Sequence, residues 1–488
     1  MAPLATAPVK CLVLLASLLA ILSGCTLDRP RTSTHTDYLK HRLEEPKVCI
    51  AFSGGGVRSA SITIGVLREL HHDGMLRKVD IASGASGGSW GLFWLYTHAA
   101  RSSLTDVFGM SIDSTSRALE QPENTEFMNK LARAGTALAS VVRAARSALY
   151  GGINTTFGTK GVIARYTSPN AVLATAQERS LPVPIFAVTA LRSNCDTGND
   201  HPRLSMEQLN ARPMDERLTE LMPLTQYAME IHPGGWGNEF YGYSSQFPSP
   251  VADIENWAMS SGAFVDEPKY SNCPLLAAIG ATWGTDATIV PDDASFPTRN
   301  LYLADGGFSE NLAGFPLLRR TCSVTVLVDA EYDPNFTFEG YRRLQRGARE
   351  AEALGAMLQV PAIDDWISQN PSGAINAARD PSLSIVKDPV AAGTIVRRAG
   401  NVDHVLYLKL SIDAARLNEY SADTKAAYEA SLKCKPGVDC TFPHTDTFNT
   451  SYSPAEFRAH RDLGSALTKW FLAPKLETFL SSVDGRTK

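Results

Sequence analysis

Between Val48 and His98 the chain twice repeats one pattern: a short apolar run, a glycine-bearing turn, then apolar residues at helical spacing. The first run, Val48 to Phe52, leads through Ser53-Gly54-Gly55-Gly56-Val57-Arg58 into Ser59 to Asp73. There Ile62, Val66, Leu67 and Leu70 fall on one helical stripe. The second run, Val79 to Ala82, leads through Gly84-Ala85-Ser86-Gly87-Gly88 into a helix over Gly91 to His98. Strand–helix–strand–helix order implies crossover helices and a parallel sheet, so the fold class is α/β with a mostly parallel central sheet.

The same turns carry chemistry. A serine hydroxyl is a weak nucleophile near neutral pH and needs a base beside it and donors for the oxyanion. Gly-x-Ser-x-Gly at a strand-to-helix turn exposes the Ser86 hydroxyl, because flanking glycines tolerate a strained backbone. It also sets the oxygen at a helix N-terminus, where the dipole favours developing negative charge. Gly54, Gly55 and Gly56 can aim backbone N–H groups at that charge. The candidate base is Asp305, at the end of the apolar run Asn300 to Ala304 and followed by Gly306 and Gly307. Strand C-termini are where parallel sheets place their ligands, so three strand-end motifs are expected on one sheet edge. Taken singly, each has a plainer reading: a tight turn, a loop, a hairpin turn.

The set SGGGVR, GASGG and DGG resembles the patatin-like phospholipases and the related cytosolic group IV phospholipases. Ser53 to Arg58 and Gly87-Gly88-Ser89-Trp90 are more similar to the cytosolic branch; Asp305-Gly306-Gly307 with Asn311 is more similar to the patatin branch. The resemblance implies a three-layer αβα patatin-like fold with helical insertions. It implies a lipid acyl ester hydrolase, of phospholipase or lysophospholipase type, with a Ser–Asp dyad, no histidine and no cofactor. Carried over, Ser86 is the nucleophile, Asp305 the general base, and Gly54, Gly55 and Gly56 line the oxyanion hole. Arg58 matches the family arginine, and the resemblance implies that it helps orient that loop or a phosphate. The sequence departs from the pattern at Ser59, where many patatins have glycine, and at Ala313, where a proline often follows the asparagines. The resemblance covers Val48 to Leu318 in three islands.

Three rival readings stay open. A Ser-Asp-His α/β-hydrolase could recruit His404, His444 or His460. A dinucleotide loop is disfavoured, because Ser59 replaces the third glycine of Gly-x-Gly-x-x-Gly. A non-catalytic lipid-binding lipoprotein is disfavoured by the presence of both Ser86 and Asp305.

The N-terminus predicts where the protein works. Residues 1–24 hold one charge, Lys10, and the apolar run Cys11 to Leu22, which reads as a signal-peptide core. Leu22-Ser23-Gly24-Cys25 resembles a bacterial lipobox, which implies cleavage before Cys25 and lipidation of that cysteine. Thr26 stands where an aspartate would favour the inner membrane, so an exported protein anchored in the outer membrane is expected. Residues 25–47 read as a polar tether. Residues 48–330 read as the catalytic domain with an insertion over about 100–295, and 331–488 as a helical and mixed extension packed on it.

Among the eight cysteines, Cys434 and Cys440 flank a turn-like stretch and form the best candidate pair; Cys49 and Cys322 sit in apolar runs and read as buried thiols. No Cys/His spacing or calcium loop implies a metal. A net charge of -5 argues against a nucleic-acid binder held by a general basic field. The family resemblance implies a membrane lipid or phospholipid as substrate, and the lipobox resemblance a membrane surface as partner. Phe127 to Tyr150 carries Lys130, Arg133, Arg143 and Arg146 beside an apolar stripe. It is either an interfacial helix or an ordinary surface helix. Asn238 to Pro250 is expected as a loop, Asn256 to Phe264 as a short helix, His404 to Leu410 as a strand, and Tyr341 to Leu358 and Arg461 to Ser482 as amphipathic helices.

Overall fold

The computed structural model describes residues 33–108, 168–192, 228–248, 251–252, 254–262, 285–350, 354–433, 441–447 and 452–484. Its strands are β1 (Val48–Phe52), β2 (Ile81–Ala85), β3 (Val183–Arg192), β4 (Ala228–His232), β5 (Gly235–Asn238), β6 (Gly242–Ser244), β7 (Thr285–Ile289), β8 (Arg299–Asp305), β9 (Val324–Asp329), β10 (Ala356–Gln359), β11 (Val390–Arg397) and β12 (Val402–Lys409). The helices that position the site are α1 (Ser33–Glu44), α2 (Gly56–His72), α3 (Gly87–Ala99), α4 (Pro169–Arg179), α5 (Ile254–Ser261), α6 (Glu339–Glu350), α7 (Pro454–Leu467) and α8 (Ala473–Asp484).

The strands make one sheet in the order β10-β11-β12-β9-β1-β2-β3-β4-β5-β6, with β8 attached to β3 and β7 to β8. Its centre, β12-β9-β1-β2-β3, is parallel throughout. The wings are antiparallel, as short connections such as the β4–β5 turn require. β1 shows why the sheet is covered on both faces. Val48, Ile50 and Phe52 enter one core with Val57, Leu67 and Leu463, from α2 and α7. Cys49 and Ala51 enter a second core with Phe315, Tyr341 and Leu344. All five β1 residues are buried, as expected of a central strand in a three-layer αβα sandwich.

Several expectations change. β3, inside the stretch of about 100–295 expected as an insertion, is a central strand between β2 and β4, so the core sheet reaches well into that stretch. The sheet also runs across the boundary at 330, because β10, β11 and β12 extend it beyond β9. In the stretch 25–47, α1 docks on the body. Tyr38 donates to Leu181 O at 2.8 Å, and Arg42 pairs with Asp80 at 3.2 Å. Asn238 to Pro250 is not only loop: Asn238 faces Gly242 across a hairpin turn, and Gly242–Ser244 forms β6. Tyr341 to Leu358 is not one helix. α6 is described to Glu350; Gly355, whose φ of 48° favours glycine, then leads into Ala356 to Gln359, which alternates buried and exposed as β10. The final amphipathic run starts earlier, at a capping box of Ser453 and Glu456, and continues through a π-turn at Thr468–Leu472 into α8.

Cys49 and Cys322 are not free thiols. They form a disulfide with Cα atoms 6.0 Å apart across 273 residues of sequence. Cys322 leads into β9, the neighbour of β1, and both side chains enter the same core. On a chain-entropy account, closing so long a loop contributes up to about 5 kcal/mol. The signal segment, Cys25, Phe127 to Tyr150 and the pair Cys434 and Cys440 lie outside the described residues. Among the described residues, no helix is long and apolar enough to cross a membrane.

Candidate active site

Ser86 occupies a sharp corner between β2 and α3, with φ 49° and ψ −120°. A non-glycine residue there costs roughly 1–3 kcal/mol and persists only where its surroundings fix it. Close approach fixes this one: a Cβ at Gly87 would overlap the Gly56 carbonyl, and one at Gly88 would overlap the Phe52 carbonyl.

The aspartate arrives by an unexpected route. β8 is antiparallel to β3, so Asp305 reaches the C-terminal edge of β1 and β2, where it was expected, but from beyond that edge and on a strand that runs the other way. Ala85 is partnered with Ala187, and Asp305 with the next residue, Val188. β4 occupies the other flank of β3, so β8 takes over the flank that β2 vacates and runs the opposite way. The two strand tips point at each other. Ser86 Oγ donates to Asp305 Oδ2 at 2.9 Å, and Gly307 N–H donates to Asp305 Oδ1 at 2.7 Å. Ser86 is 5% exposed and Asp305 3%. The junction needs Gly306, where a Cβ would overlap Ala187 O and lie 3.3 Å from Ala85 Cβ.

The glycine loop lies beside this pair. A Cβ at Gly54 would lie 3.1 Å from Ser86 Cβ and would overlap Asn311 Oδ1. Gly54 N–H donates to Asn311 O at 2.7 Å, so that donor is committed within the fold. Gly55 and Gly56 adopt φ 136° and 61°, which favour glycine, and Gly56 opens α2. Ser53 Oγ accepts from Ala330 N at 2.8 Å, and Ser59 donates to Ser53 O. Arg58 is fully buried. It donates through Nε to Ala330 O at 2.9 Å, through one Nη to Thr445 O, and through the other to Thr447 Oγ1 at 3.3 Å. Its guanidinium thus ties the glycine loop to the exit of β9 and to the segment 441–447.

Behind the loop stands a buried ionic network that no sequence motif marks. Lys409 Nζ meets Asp329 Oδ2 at 2.6 Å and Asp333 Oδ2 at 2.8 Å, and Tyr407 donates to Asp329 at 2.5 Å. Burial opposes ionisation of Asp333, but Lys409 outweighs it and holds the carboxyl well below its ordinary range. Glu331 accepts from Asn311 Nδ2 at 2.5 Å; burial and then the Asp329 charge push its carboxyl up to about 8. Asn311 therefore joins the two halves of the site. Its carbonyl holds Gly54, and its side-chain oxygen faces both Gly54 and Gly307.

The three candidate histidines are engaged elsewhere. His444 contacts Glu331 O and Leu410 O at 2.9 Å each, and burial followed by the Lys409 charge lowers it to about 3. His460 contacts Glu456 O at 2.8 Å and is lowered by burial to about 4. His404 packs on Phe479 and is partnered with Val324, at the end of β9 remote from Val328 and Phe52. Among the described residues, Glu69, His72 and Asp73 could together hold a metal ion. They sit at the end of α2 opposite Gly56.

No protein-family model matches the chain. A solved structure of human GIVD cytosolic phospholipase A2 aligns with 92% of this chain and 63% of its own at 14% identity, with a TM-score of 0.47. The same enzyme in complex with methyl gamma-linolenyl fluorophosphonate aligns with 93% of this chain and 65% of its own at 14% identity and a TM-score of 0.47. In sequence, the chain is 31% identical to human cytosolic phospholipase A2 gamma over 150 residues, which is 30% of this chain and a quarter (25%) of that relative.

Proposed function

We propose that this chain is a lipid acyl ester hydrolase of the phospholipase or lysophospholipase type. The observation that carries the reading is the 2.9 Å hydrogen bond from Ser86 Oγ to Asp305 Oδ2 at a strained elbow. Ser86 Oγ attacks the ester carbonyl while its proton passes to Asp305 Oδ2. Gly55 and Gly56 N–H groups meet the oxyanion, Gly54 being already committed to Asn311. The tetrahedral adduct collapses and the leaving alcohol takes the proton from Asp305. A water then gives its proton to Asp305 and attacks the acyl-serine, which releases the fatty acid and restores Ser86. Arg58 acts through the loop it clamps.

The likeness to cytosolic phospholipase A2 gamma supports a phospholipid substrate, and the motif set supports a patatin-like hydrolase of the group IV kind. The Cys49–Cys322 disulfide supports an oxidising compartment, as an exported lipoprotein anchored through Cys25 in the outer membrane would occupy. The engagement of His404, His444 and His460 elsewhere favours the dyad over a histidine triad. The test is turnover of phospholipid, lysophospholipid and short synthetic esters by the parent, Ser86→Ala and Asp305→Asn, with fluorophosphonate labelling. Full activity in either variant refutes the assignment. Absence of labelling of the folded parent favours the scaffold reading instead. Fatty-acid labelling of parent and Cys25→Ala checks the anchor.

A further inference from the structure

We infer that Ser261 is the positioning residue of the nucleophile elbow, an inference that rests on Ser86 being the nucleophile. The Ser86 N–H is directed at two acceptors of this one residue, Ser261 O at 3.1 Å and Ser261 Oγ at 3.0 Å. The Ser261 hydroxyl also donates to Ala187 O at 2.6 Å and lies 2.7 Å from Ser89 Oγ, itself 2.7 Å from Gly84 O.

These contacts reach β2, the corner at Ser86, α3 and β3. Gly84 lies in β2, Ser86 is the corner, and Ser89 is in the first turn of α3. Ala187 is the β3 residue opposite Ala85, and its carbonyl is the atom that a Cβ at Gly306 would overlap. Ser261 is completely buried and is the last residue of α5. Its approach depends on the next residue being glycine, since a Cβ at Gly262 would overlap the Trp90 indole.

The elbow needs such a hold. At φ 49° an L-residue relaxes unless its neighbours prevent it, and relaxation swings the Cα–Cβ bond. That swing carries Oγ away from Asp305 Oδ2. Ser261 touches neither the reacting hydroxyl nor the aspartate, so it acts through the backbone of Ser86.

The test uses the full chain. Ser261→Ala should lower kcat by about 10- to 100-fold with little change in KM, and slow fluorophosphonate labelling of Ser86 by the same factor. Ser261→Thr, which keeps the hydroxyl, should recover most of both rates. Ser260→Ala is the control: Ser260 is equally buried and donates to Thr285 Oγ1 at 2.9 Å. It should lose comparable thermal stability while keeping kcat. Should Ser261→Ala not fold, Ser261→Cys takes its place, with similar size, a far weaker acceptor and the same expected loss. Parental kcat and labelling rates in Ser261→Ala or Ser261→Cys, where Ser86→Ala is inactive, overturn the inference. An active Ser86→Ala overturns the underlying reading instead.

Discussion

Asp305 Oδ2 stands 2.9 Å from Ser86 Oγ because two strand tips face each other along one flank of β3. The distance is set by strand register, Ala85 with Ala187 and Asp305 with Val188, and not by a loop that could wander. The proposed dyad is therefore expected to be preformed without substrate.

Asp305→Asn keeps the size of the side chain but cannot accept the serine proton. Ser86→Ala and Asp305→Asn should each lower turnover by about 10³-fold or more while the melting temperature stays near that of the parent. Steady-state hydrolysis with differential scanning calorimetry checks both. Collapse of the fold in either variant would mean the pair is structural.

Gly54→Ala should abolish turnover without removing a donor to the oxyanion. Its methyl would overlap Asn311 Oδ1 and crowd Ser86 Cβ, so either the loop or Asn311 must move. Adding Asn311→Ala should return part of the activity if the clash is the cause. Turnover in the double variant is the readout.

Reduction of Cys49–Cys322, or the change Cys322→Ala, should lower the melting temperature by several degrees and leave KM unchanged. Mass spectrometry of unreduced tryptic peptides should recover the two cysteines linked. Two free thiols in folded, air-exposed protein would refute the pairing.

Stability should fall on both sides of neutrality, for different groups. Burial lowers His444 to about 3 and His460 to about 4, so the unfolded chain takes up these protons more readily. Their contribution is whole above about 6.5 and drains as pH falls below it. Burial opposes ionisation of Glu230, but Arg320 and Arg319 outweigh it and hold the carboxyl at about 2, which adds a further loss below about 4.5. Glu331 has the opposite sign. Its carboxyl is raised to about 8, so its contribution is whole below about 4.5 and is lost as pH rises through 8. Glu331→Gln should therefore lose less stability than the parent between about pH 6 and pH 9. Thermal melts across that range decide it.

The strand–turn–helix units around Gly54 and Ser86 were legible because each strand is buried on both faces and so reads as an unbroken apolar run. Asp305 was legible as a strand end, but not the direction of β8. An apolar run looks the same whichever way it pairs, and only register with β3 distinguishes the two. β10 was absorbed into the preceding helix because its four residues are too few to show a period. The Cys49–Cys322 bridge was hidden by separation, since nothing local indicates that β9 lies beside β1. Lys409, His444 and Ser261 carry no motif, and they matter only through partners that the fold brings to them.

Arg58 has consequences for the order of synthesis. Two of its acceptors, in Thr445 and Thr447, lie 387 and 389 residues further along the chain. A ribosome makes the glycine loop early and its clasp almost last. A fragment ending before Thr445 holds Ser86, Asp305 and all three glycines, yet leaves the guanidinium without those acceptors and Gly56 without the Thr447 carbonyl 2.9 Å from where its Cβ would be. A chain clipped before Thr445 is thus expected to keep both members of the proposed dyad while its glycine loop goes unclasped, so the last tenth of the chain governs the geometry of a turn near its start.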